Sequence, residues 1–69
     1  MIFFVLNQPT IHPIEGFVTY PIYDHSKQEI SSVQSLERHQ ITASIAAVTG
    51  HEDASYEIVD TLDEIDQAG

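Results

Sequence analysis

Apolar residues fall into separate stretches along the chain, and the stretches differ in period. Ile2-Phe3-Phe4-Val5-Leu6 is an unbroken aromatic and β-branched run of strand length, which predicts a buried strand. Asn7-Gln8-Pro9-Thr10 carries turn chemistry, and Pro13 and Gly16 punctuate the chain again. Phe17-Val18-Thr19-Tyr20 restarts a strand, with Phe17 and Thr19 on one face and Val18 and Tyr20 on the other. Pro21 has no N–H to give to a ladder, so Ile22 and Tyr23 are expected on an edge or past a kink. The first 23 residues therefore predict a β-hairpin with a long, proline-bearing connection.

Asp24-His25-Ser26-Lys27-Gln28 reads as a loop, and from Ile30 the pattern changes. Ser31 followed by Gln34 fits a capping box. Val33, Leu36, Ile41, Ile45 and Val48 follow, and the five-residue step from Leu36 to Ile41 turns the stripe by about 140° on a helix. Two shorter helices that break near His39-Gln40, with Thr42 capping the second, fit better than one. Gly50 stands where a left-handed cap would close the second. Ile41, Ala43, Ile45 and Ala47 also alternate, so a strand over residues 41–49 stays open beside the helix that the alanines favour.

The last stretch reads as a helix. At about 100° per residue, Ala54, Ile58, Val59, Leu62 and Ile65 share one side, and Asp53, Glu57, Asp60 and Glu64 share the opposite one. Glu52 and Asp53 suit the positive end of its dipole. The expected architecture is α+β: an N-terminal β-hairpin followed by two or three short helices packed on one face. A chain of 69 residues holds it as a single domain over residues 1–69.

At this size only about 60% of the unfolded surface is buried on folding. The chain has no cysteine, hence no disulfide to supplement the core. Docking on a larger partner or forming a homodimer would supply what is missing. The apolar N-terminal run is far below the ~18 residues of a membrane span and lacks the flanks of a signal peptide, so the default is a soluble, cytoplasmic protein.

Charge narrows the partner. Against 11 acidic residues stand only Lys27 and Arg38, for a formal net charge of −9. Two cations cannot neutralise a run of phosphates, which argues against direct nucleic-acid binding and against docking on anionic lipid. The same arithmetic favours a basic partner surface, such as that of a nucleic-acid-binding protein or nuclease complex.

Seven of the 11 acidic residues lie between Glu52 and Asp66. Ordinary surface helices intersperse cations; here Asp53 with Glu57 and Asp60 with Glu64 set like charges one turn apart, at a cost of a few tenths of a kcal/mol per pair. Asp63, Glu64 and Asp66 also oppose the helix dipole. A solvated face is the plain explanation, and a contact surface for Lys and Arg is the sharper one. Carboxylates one helical turn apart are spaced by about 5.4 Å along the axis, broadly the separation of successive phosphates on a DNA strand. The candidate partner-binding residues are accordingly Glu52, Asp53, Glu57, Asp60, Asp63 and Glu64, with Tyr23 as an interface anchor beside the strand edge.

In size and charge balance the chain resembles, as a class, the small acidic inhibitors of DNA-mimic type that phages deploy against restriction or CRISPR enzymes. That resemblance implies a non-catalytic protein that covers the basic groove of a defence enzyme. Residues 41–69 also resemble the helix-turn-helix of small transcription regulators, with Ile45, Ala46 and Val48 in the first helix, Gly50 at the turn, and Val59 and Leu62 in the second. Glu57, Asp60 and Asp63 stand where such a helix offers Arg, Lys, Gln or Asn, which tells against DNA contact while leaving a trihelical packing.

Catalysis is not expected. His12, His25, His39 and His51 are dispersed, and His51-Glu52-Asp53 lacks a second ligand at a metal-site spacing, so neither metal nor cofactor is expected. There is no nucleophile elbow, phosphate loop or cofactor fingerprint. Two further functions stay open beside the inhibitor: a helix-turn-helix-like regulator or accessory subunit, and a structural protein that assembles through its N-terminal strand.

Overall fold

A computed structural model describes residues 2–68 of the chain. In order, it contains strands β1 (Ile2–Leu6), β2 (Thr10–Ile11), β3 (Val18–Tyr23) and β4 (Glu29–Val33), helix α1 (Arg38–Thr49), strand β5 (Ser55–Val59) and the short helix α2 (Asp63–Ala68). The strands form one mixed five-stranded sheet, so the architecture is sheet-dominated with a single long helix. This corrects the expected α+β hairpin with two or three helices packed on one face.

The fold is organised by β1. Its five residues run antiparallel to β3 on one side, with Phe4 opposite Tyr23 and Val5 opposite Ile22. On the other side they run parallel to β5, from Ile2 opposite Ser55 to Leu6 opposite Val59. Side chains alternate between the faces of a strand. Phe3 and Val5 thus join Ile22, Val33, Ile41 and Ile45 under α1, while Phe4 and Leu6 join Val59 and Ile65 of α2 on the opposite face. Coverage of both faces explains why β1 is an apolar run without alternation.

β3 pairs with β2 through its first residues, with β1 through its last, and with β4 from Tyr20 to Tyr23. Ile22 and Tyr23, expected on an edge or past a kink, are therefore not at an edge, although the β4 register does shift between them, and Pro21 itself is buried inside the sheet. It falls between Thr19, opposite β2, and Ile22, opposite β1, where residues 7–9 interrupt the flanking strand, so the N–H that proline lacks has no paired strand carbonyl to serve. The β2–β3 connection folds back on itself. His12 stacks on Phe17 with centroids 4.7 Å apart, and His12 Nδ1 accepts the Glu15 amide at 3.2 Å. The β3–β4 turn is held by Asp24 Oδ1, which accepts the amides of Ser26 at 2.8 Å and Gln28 at 3.1 Å.

Ser31 lies in β4 rather than at a helix cap, and its hydroxyl meets that of Ser44 on α1 at 2.5 Å. α1 runs unbroken through Thr42, so residues 41–49 are helix and the break near His39-Gln40 does not occur. Leu36 precedes the helix, which removes the five-residue step that suggested two helices; within α1 the buried pair is Ile41 and Ile45, one turn apart. Gly50 closes α1 at φ 79°, and its amide donates to the Ala46 carbonyl at 2.8 Å. No described helix is long and apolar enough to cross a membrane.

The largest departure lies after Gly50. Residues 52–66 do not form one helix; Ser55–Val59 is a strand, and α2 begins only at Asp63. Five contiguous backbone pairings with β1 outweigh the helical period of Ala54, Ile58, Val59 and Leu62, which is a local and weak preference. The segment assigned to the second helix of a helix-turn-helix is therefore largely β5, and that motif is absent among the described residues after Gln40.

Candidate functional site

β5 is the last strand of the sheet on its side and pairs with β1 alone. The Asn7 amide donates to the Val59 carbonyl at 2.8 Å, which sets the phase of this parallel ladder. In parallel pairing a residue turns both its N–H and its C=O to the same side, and the next residue turns both away. Ser55, Glu57 and Val59 thus face β1, and Tyr56 and Ile58 present their backbone groups to the outer edge. Past Val59 the outer side closes. Glu64 Oε2 accepts the amides of Asp60 at 2.6 Å and Thr61 at 3.0 Å, and the Gln8 side-chain amide donates to the Asp60 carbonyl.

The acidic residues gather on this margin without forming a helical row. Glu52 and Asp53 are exposed in the turn that leads into β5, Glu57 is exposed in its middle, and Asp60 is exposed in the bend that follows. Asp63 is exposed at the start of α2. Glu64 is half-buried and its carboxylate holds the β5–α2 junction, so it is a structural residue. The Asp66 side chain lies outside the described residues. Helical spacing is confined to α2, so a single helical row over residues 52–66 is absent, and with it the match to a row of phosphates. Along the strand, same-face positions are instead about 6.6 Å apart.

Tyr23 is not on this margin. It stands on β3, separated from β5 by β1, and packs half-buried against the cluster of Phe4, Leu6, Val59 and Ile65. Burial pushes its hydroxyl pKa above the ordinary tyrosine value, and the carboxylate of Glu29, its cross-strand neighbour, adds to the shift.

Beside β5, on the α1 face, lies an open cleft of about 770 Å³. Arg38 and Thr42 of α1 line one wall, Tyr56 and Ile58 of β5 the other, with Glu52 and Asp53 at one end. Ile58 is 42% exposed there. Sequence reasoning assigned Ile58 to a helix core and gave Arg38 no role; the strand-forming pair Tyr56 and Ile58 around Glu57 was the available signal. No group of three or more His, Asp or Glu side chains converges as a metal site among the described residues.

This fold and site define a class only: a small mixed-sheet domain with an open, acidic edge. Comparison with family models, with curated proteins and with solved structures yields no match to the chain.

Proposed function

We propose that the protein is a non-catalytic binding protein whose β5 margin engages a basic, nucleic-acid-handling surface of a partner protein, in the manner of an inhibitor. The observation that carries this reading is the set of exposed carboxylates from three successive segments, Glu52 and Asp53, Glu57, and Asp60, along one outer strand. Of the two Lys and Arg residues of the chain, neither lies in that stretch of sequence, and Arg38 stands beside it as one cation lining the cleft with Glu52 and Asp53, so the self-repulsion of four carboxylates is relieved further by an external cation source. Assembly through the N-terminal strand is less favoured, because β1 is paired on both sides.

The reading is tested with a labelled Lys/Arg-rich peptide at salt concentrations from about 50 to 300 mM. Binding should weaken steeply as salt rises, and the combined E52Q, D53N and E57Q variant should bind at least tenfold more weakly. Salt-insensitive binding, or full binding by the triple variant, overturns the reading. Direct binding of duplex DNA at moderate salt would favour a regulator in its place.

A further inference from the structure

We infer that the outer edge of β5 receives a cationic, extended segment of the partner as an added strand. The inference rests on the basic-partner reading above and gives that contact a geometry. Tyr56 and Ile58 turn their amides and carbonyls outward, and no described strand or helix pairs with them. Exposed edges are commonly guarded by Lys, Pro or a bulge. β5 has none of these: it reads Ser-Tyr-Glu-Ile-Val and pairs with β1 in unbroken register. On the opposite flank, by contrast, the β3–β4 pairing is irregular, with a register shift between Ile22 and Tyr23.

The surroundings select the occupant. An added strand would set alternate side chains on the two faces of the sheet. On the α1 face they would meet the Ile58 side chain and the cleft beside it. On the other face they would meet Glu57, the cross-strand neighbour of Phe4. A segment alternating apolar and cationic residues matches both faces, with Glu52, Asp53 and Asp60 at its two ends. A second copy of this chain matches poorly. Antiparallel pairing about the centre of β5 would set Glu57 against Glu57, and like charges directly opposite are destabilising.

Two peptides of equal charge test the proposal: Lys-Val-Lys-Val-Lys-Val-Lys, and Lys-Pro-Lys-Val-Lys-Pro-Lys, whose prolines lack N–H groups that an antiparallel added strand gives to the outward carbonyls of β5. The first should bind at least tenfold more tightly and slow hydrogen exchange at the Tyr56 and Ile58 amides at least tenfold. I58P removes an outward N–H without touching the β1 ladder, and should bring the first peptide down to the affinity of the second. If I58P does not fold, amide exchange in the unaltered protein decides. Equal binding of both peptides with Tyr56 and Ile58 unprotected overturns strand addition and leaves the basic-partner reading standing. Failure of both peptides to bind at low salt brings down that reading as well. Protection of the two amides in the free protein, together with a doubled mass in solution, assigns the edge to a second copy and overturns the proposal.

Discussion

Val5 has two isoleucines beside it, and they live in different environments. Across the antiparallel ladder it faces Ile22, which is 0% exposed; across the parallel ladder it faces Ile58, which is 42% exposed. Phe4 repeats the contrast, with Tyr23 on one side and Glu57 on the other. β3 is hemmed in by three strands and contributes core, while β5 holds one neighbour and keeps an edge open. The difference teaches that equal distance from the central strand does not mean equal burial. What lies beyond each neighbour decides whether its residues serve stability or recognition.

Substitution at the two positions should break the symmetry most visibly. Truncating a fully buried isoleucine removes transfer free energy and leaves a cavity, so Ile22→Ala should cost about 2–5 kcal/mol in urea unfolding. Ile58→Ala should cost under about 1 kcal/mol while weakening peptide binding at the β5 edge. Equal losses at the two sites would erase the distinction between core strand and edge strand.

The ends of β5 sharpen the comparison. Gly50 turns the chain out of α1 at φ 79°, where a Cβ would meet open space but the backbone conformation disfavours it. Gly50→Ala should lower stability by about 1 kcal/mol through backbone strain alone, visible as a lower urea midpoint at unchanged slope. Glu64→Ala should cost about 1 kcal/mol, since the amides of Asp60 and Thr61 lose a charged acceptor. Amide exchange should then rise at Asp60 and Thr61 and stay slow in β3.

The smallest effect belongs to the β3 side. The folded-state pKa of Tyr23 is raised, by burial first and by Glu29 second. The folded protein thus holds that proton more firmly than the unfolded chain, whose tyrosines titrate near about 10. Its contribution is fully present below pH ~10 and is lost as pH rises through the folded pKa. Tyr23→Phe should flatten this alkaline decline, measured as urea stability between about pH 9 and 11, and Ile58→Ala should not.

Much of the β3 side is legible in residue order. β1 and β3 do run antiparallel, because neighbouring strands joined by turn residues tend to meet, but they pair through Ile22 and Tyr23 rather than through the run Phe17–Tyr20, whose Val18 and Thr19 pair with β2. The β5 side is illegible locally. Tyr56, Glu57, Ile58 and Val59 support either a helix face or a strand, and a parallel partner from the other end of the chain settles it. Extension of the helical stripe back to Leu36 misplaced a break in α1, since a period says nothing about where a helix begins. The acidic residues were found by count, yet their role as a row on one helix face depended on a conformation that β1 overrode.

Composition and order alone determined the acid excess, a buried apolar strand at residues 2–6, and the left-handed stop at Gly50; that this strand is covered on both faces came only with the structure. These follow from charge, side-chain period and single-residue φ preference, which act within a few residues. Tertiary structure alone decided that Ser55–Val59 is a strand, that Glu64 secures a junction, that Tyr23 packs inward, and that Ile58 stands at an open edge. Those outcomes depend on backbone pairing between distant segments, whose free energy is gained only once β1 has a neighbour on each side.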